Sequence, residues 1–115
     1  MAGYRLTHAA QADIVSLLAW TDEQFGADAR ERYATLIVTA IRNAASSRAK
    51  DDRSARPELG EGVFSWPLAQ SRDRVVGKAV RNPRHLLLCR REDNLLVVGR
   101  VLHDAMAPRR WSSDS

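Results

Sequence analysis

Two apolar stripes of helical period, with almost nothing between them, limit the folds open to this chain. Ala10, Ile14, Leu17, Leu18, Thr21 and Phe25 recur at a spacing that puts them on one helix face. Gly26 follows at once, where a residue free to adopt positive φ can stop the helix. Asp28 and Glu31 stand three apart, the spacing of a capping box with Asp28 as the N-cap residue. Behind them Ala29, Tyr33, Leu36, Ile37, Ala40, Ile41 and Ala44 form a second stripe. Only residues around Ala27 lie between the two helices, so they must double back as an antiparallel hairpin. A hairpin with one apolar face needs a second layer to cover it.

The rest of the chain supplies strands. Gly3-Tyr4-Arg5-Leu6-Thr7 alternates apolar and polar residues, as a short half-buried strand does. Residues 46–62 break into small, charged and turn-forming residues and read as a loop. Val63 to Leu68 puts Phe64, Trp66 and Leu68 on one face, and Pro67, which lacks an N–H, confines this strand to an edge or a bulge. Ser71 to Pro83 is polar, basic and interrupted by Gly77, which predicts a loop. Arg84 to Arg90 and Leu95 to Leu102 are dense apolar runs around a polar turn, Arg91-Glu92-Asp93-Asn94, and should pair as a hairpin. The order β-α-α-β-β-β predicts an α+β fold, with the N-terminal helix hairpin packed on an antiparallel sheet.

At 115 residues the chain has room for one core, so a single domain over 1–115 is expected. The tail from about residue 105 reads as flexible or as folding back onto the sheet. The net charge of +4 is unevenly distributed. Residues 1–47 hold 4 Lys/Arg against 5 Asp/Glu, whereas residues 48–115 hold 14 against 9. An anionic partner for the second half, or a merely solvated basic surface, fits this bias. No run is long enough to span a membrane, and the opening segment lacks a signal-peptide pattern. The one cysteine, Cys89, sits in an apolar run and reads as a buried inert thiol, so the expected compartment is the cytoplasm.

Three groups of residues resemble one family in order and spacing. Tyr4-Arg5-Leu6-Thr7 followed by Ala9-Ala10-Gln11-Ala12-Asp13-Ile14, then Phe25-Gly26 with Ala29 and Tyr33, and finally Gly99-Arg100-Val101-Leu102-His103-Asp104 are similar to the ParE branch of the ParE/RelE toxin superfamily. The resemblance covers roughly residues 4–110. Ser71–Pro83 is longer than in the shortest relatives, and Leu88 and Cys89 stand where many carry tyrosine. The resemblance implies a type II toxin–antitoxin pair: a toxin that inhibits DNA gyrase and replication by binding, without hydrolysing anything or using a cofactor. A ParD-like antitoxin would neutralise it in a direct hetero-oligomeric complex and supply the operator-binding domain. RelE-type relatives instead cut mRNA on the ribosome.

That alternative can be weighed on residue types. Cleaving RNA needs a base, an acid and positive charge on the phosphate. His85, His103, Arg84, Arg90 and Arg100 are suitable types, but alternation puts Arg84 and Arg90 opposite His85, and Arg100 opposite His103. Tyr4 and Tyr33 lie far off in sequence. His103 can equally end the last strand with its ring bonded to backbone or to Asp104. There is no nucleophile elbow, zinc spacing or phosphate loop. Candidate target contacts are therefore Arg100, His103 and the basic, aromatic run Arg109-Arg110-Trp111, since Arg and Trp often anchor interfaces. Candidate antitoxin contacts are Phe64 and Trp66 on the expected edge strand, with Arg84 and Arg90.

Overall fold

In a computed structural model, the structure describes residues 3–47, 55–75, 80 and 82–104. The chain forms β1 (Gly3–Leu6), α1 (His8–Phe25), α2 (Ala27–Ser46), β2 (Val63–Pro67), a 3-10 helix over Leu68–Arg74, β3 (His85–Glu92) and β4 (Leu95–His103). One sheet of order β1-β4-β3-β2 carries the helix hairpin on one face. This is the expected α+β arrangement. The core between the layers holds Ala10 and Leu17 of α1 and Leu36, Ile37, Ala40, Ile41 and Ala44 of α2. From the sheet it holds Leu87, Cys89, Leu96, Val98 and Val101.

The sheet is mixed rather than wholly antiparallel. β2 with β3 and β3 with β4 run antiparallel, but β1 lies parallel to β4. Thr7 makes only a slight break between β1 and α1, so α1 continues alongside β4 in the direction of β1. Its early contacts accordingly advance along β4, from Gly99 at Thr7 to Val101 at Asp13. The chain then reverses at Gly26, after α2, after β2 and after β3. Four reversals return it to its starting direction, which makes β1 and β4 parallel neighbours.

Thr7 joins the two layers. Its Oγ1 accepts the Ala10 N–H at 3.1 Å, capping α1, and donates to the Gly99 carbonyl at 2.8 Å. A bulge sits there: Leu88 pairs with Arg100 and Cys89 with Val98, leaving Gly99 without an opposite residue. Both bonds are buried, so Thr7→Val, which keeps the shape and removes the hydroxyl, is expected to cost about 2 kcal/mol in urea unfolding. Thr7→Ser should lose much less.

Several local details differ from the sequence expectations. Gly26, at φ 92°, ends α1 and is itself the N-cap of α2, with no side-chain cap; Asp28 lies in the first turn and not at the cap. The linker is so short that the cap position falls two residues earlier. Phe25 continues the α1 stripe in sequence yet is 67% exposed, because the helix runs past the end of the sheet. The segment from Ser71 is not simply loop, since the 3-10 helix runs to Arg74 and buries Leu68 and Ser71. The β3–β4 turn is Asp93-Asn94 alone, with Asp93 at φ 57°. Arg91 donates to the carbonyls of Ala44, Ala45 and Ser47, closing the C-terminus of α2 against the sheet.

Candidate functional site

The polar residues gather where β3 begins and β4 ends. His85 and His103 are register partners on these neighbouring strands, with ring centroids 5.2 Å apart and planes at 90°. Tyr33, far away in sequence, arrives from α2 and brings its hydroxyl to 2.8 Å from His85 Nδ1. On the other side of the pair, His103 Nδ1 is 3.3 Å from Asp104 Oδ1. Asp104 receives a two-pronged bond from Arg84, Nε to Oδ2 at 3.1 Å and an Nη2 nitrogen to Oδ1 at 3.2 Å. The result is a continuous chain of Tyr33, His85, His103, Asp104 and Arg84 across three elements.

Burial and charge set the protonation of this chain. Burial, reinforced by the neighbouring His103, holds His85 below the ordinary histidine value, against a smaller opposing pull from Asp104. Burial pushes the Tyr33 hydroxyl up, against a bond with the Arg84 backbone. The Arg84 guanidinium holds the Asp104 carboxyl below the usual carboxylate range. At neutral pH both His85 and Tyr33 are therefore uncharged. Elsewhere, Cys89 is buried and its thiol is pushed far up by desolvation, which suits a core residue and not a nucleophile.

Arg100 belongs to a different assembly. It lies on the opposite sheet face from His103, as the spacing predicts. It wraps its guanidinium onto Asp13 of α1, with Nε at 2.7 Å and an Nη2 nitrogen at 3.0 Å. The same carboxylate accepts the Val101 N–H at 2.9 Å. β1 covers β4 only as far as Val98, so Asp13 satisfies an edge N–H that no strand reaches. Phe64 and Trp66 turn inward and pack against the main core, with Trp66 Nε1 donating to Ser71 Oγ at 3.1 Å. β2 is an edge strand, as Pro67 requires, but its outer side already meets Ala55 and Arg56, whose N–H donates to Val63 O at 2.8 Å. Arg90 reaches Glu92 at 2.8 Å on the face away from the helices. Arg109, Arg110 and Trp111 lie outside the described residues.

The family model for the ParE toxin of the type II toxin–antitoxin system parDE matches residues 4–108. The chain belongs to the ParE toxin family. It is thus the toxin component of a type II toxin–antitoxin system. No curated protein matches the sequence. Six chains of solved structures match. One comes from the chromosomal ParDE toxin–antitoxin system of P. aeruginosa, at TM-score 0.65 and 14% identity, with 90% of this chain and 96% of that one covered. At that identity the likeness concerns the fold, and the two helices on a four-stranded mixed sheet agree with it.

Two features of this ParE-family chain lay beyond sequence reasoning. Sequence distance separates Tyr33 from the histidines, and only the return of α2 over the sheet end closes it. Asp13 and Arg100 stand in separate family-like motifs, and nothing in either motif indicates that they bond. Among the described residues, no group of three or more His, Cys, Asp and Glu side chains is placed to hold a metal ion, and no helix is long and apolar enough to cross a membrane.

Proposed function

We propose that this toxin acts by binding, inhibiting DNA gyrase and hence replication. A ParD-like antitoxin neutralises it in the cytoplasm by forming a direct hetero-oligomeric complex. The observation that supports binding over RNA cleavage is the state of the arginines. Arg84, Arg90 and Arg100 each carry a carboxylate partner, Asp104, Glu92 and Asp13 respectively. Transition-state stabilisation on phosphate needs uncompensated positive charge aimed at the developing anion. Among the described residues these three pairs are already close to neutral, which weighs against the phosphate stabilisation that ribosome-dependent mRNA cleavage demands.

We assign target contacts to His103, Arg100, Arg109, Arg110 and Trp111, and antitoxin contacts to Phe64, Trp66, Arg84 and Arg90. Family membership supports an antitoxin-binding surface on this chain, and the basic second half supports an anionic partner for Arg109 and Arg110. The test is induction in a bacterial host without antitoxin, scoring plasmid supercoiling and the SOS response beside the integrity of ribosome-bound mRNA. Lost supercoiling or DNA breaks with intact mRNA is the expected result, and replacing Arg109, Arg110 and Trp111 together by alanine should abolish it. Cut mRNA with normal DNA would overturn the reading and make His85 and His103 catalytic candidates.

A further inference from the structure

We propose that residues 105–115 of this chain dock on the sheet face away from the helices, with Trp111 as the anchor. Alternation along the strands defines that face. Leu87 and Cys89 of β3 and Leu96, Val98 and Val101 of β4 belong to the core beneath the helices. Leu86, Leu88, Val97 and Leu102 stand between or beside them and so line the opposite face. Three of these four are as buried as the core itself: Val97 is 0% exposed, Leu88 1% and Leu102 5%. Side chains standing on a sheet face reach that level only with a layer above them.

The described residues supply that layer over one half of the face. Leu59 clusters with Val63 and Leu88 and covers the half nearest β2. Over β4 no described helix or strand lies, since both helices pack on the other side. Leu102 has Leu86 opposite it on β3, but on its other flank β1 has already ended at Leu6, opposite Val98. Its cover therefore comes from residues beyond the described ones. Residues 48–54 are charged except for Ala49 and Ser54 and offer no apolar surface of any size. Residues 76–79 lie between Val75 and Val80, which both pack on the core beneath the helices. Residues 105–115 begin two positions past His103, where β4 ends, and hold Met106, Pro108 and Trp111.

The reach is sufficient. Seven residues lead from Asp104 to Trp111, about 23 Å of extended chain at about 3.3 Å per residue. Seven also lead back along β4 from Asp104 to Val97, and the bulge at Gly99 shortens that path. A chain doubling back after Asp104 thus places Met106 over Leu102 and Leu86, and the long indole of Trp111 over Val97. Arg5 stands beside Val97 in the register and offers a cation to the ring. The indole buries a large apolar area while its N–H can stay at the wet rim. The docking stands apart from the target assignment; under that assignment, Trp111 acts by fixing Arg109 and Arg110 in place.

The test uses the full chain labelled with 5-fluorotryptophan and read by fluorine NMR. Its three tryptophans give three resonances, and Trp111→Phe assigns one of them. The Trp111 resonance should shift little between light and heavy water, whereas that of the half-exposed Trp20 should shift more. Val97→Ala should displace the Trp111 resonance, and Val38→Ala on the helix hairpin should leave it in place. Trp111→Ala should lower the melting temperature by about 5 °C or more, and Asp114→Ala should leave it unchanged. A Trp111 as sensitive to solvent as Trp20, a Trp111→Ala melt like the parent's, or indifference to Val97→Ala would each overturn the proposal. So would a Trp111 resonance that moves with protein concentration, which would assign the face to a second copy. These readouts come from the free toxin, so they fail or succeed independently of the induction assay for the target.

Discussion

Replacing Asp13 by alanine is expected to lower the unfolding free energy by about 3 kcal/mol, the upper range for removing a half-buried carboxylate that accepts several hydrogen bonds. Three donors lose their acceptor at once: both guanidinium nitrogens of Arg100 and the backbone N–H of Val101. The Asp13 side chain is only 17% exposed, so water cannot replace it freely at the β4 edge, whereas Arg100 is 40% exposed and its head can turn outward. The two halves of the pair should therefore respond unequally. Arg100→Ala leaves the Val101 bond intact and should cost roughly half as much, while Asp13→Asn keeps one acceptor oxygen and should fall between them. Thermal melting of the three variants checks this; for a domain of this size the Asp13→Ala shift is roughly 12 °C. Equal losses from Asp13→Ala and Arg100→Ala would mean that the edge N–H contributes nothing.

Leu36→Ala should be at least as damaging, by about 3–4 kcal/mol, because the site cannot collapse around the missing atoms. Leu36 is 0% exposed at the middle of α2, in a core that draws on both helices and on β3 and β4. It belongs to one close-packed cluster with α1, β3 and β4, which yields little to a local void. Since small domains retain only about 5–15 kcal/mol in total, the variant should be partly unfolded near body temperature. Two positions on, Val38 is 43% exposed, and Val38→Ala should change stability by less than about 0.5 kcal/mol. Urea titration of the two variants separates burial from helix propensity, since both put alanine into the same helix.

The contrast between Leu36 and Val38 was readable from periodicity, and so was most of the secondary structure. Apolar residues three and four apart can share a buried face only in a helix, and the stripe from Leu36 to Ala44 is buried as its spacing requires. Pro67 excluded β2 from the sheet interior for a chemical reason that no fold can evade, the missing N–H. Opposite facing of His85 and Arg90 likewise follows from strand alternation alone. Phe25 shows the limit of such patterns. It satisfies the α1 stripe and still meets solvent beside Trp20, 52% exposed, with ring centroids 5.7 Å apart, because a stripe states direction around the helix but not how far the opposing layer extends.

The site was legible only in its parts. His103 followed by Asp104, and His85 beside Arg84, are visible as residue types. Their union with Tyr33 depends on α2 crossing back over the end of β3, a contact between positions 52 residues apart. The Gly99 bulge is equally tertiary: it exists because β4 pairs β3 on one side and meets Thr7 on the other, and no property of Gly99 itself announces it.

What the sequence determined by itself is therefore local: two helices with one apolar face each, a terminal strand hairpin, an edge strand at Pro67, and the family motifs. These follow from steric and hydrogen-bonding rules acting within a few residues. Only the tertiary structure decided the parallel pairing of β1 with β4, the closure of Asp13 on Arg100, and the meeting of Tyr33, His85, His103 and Asp104. Each of those joins groups whose separation along the chain carries no signal, and each forms because burying the shared core brings the polar ends together, where they must find partners.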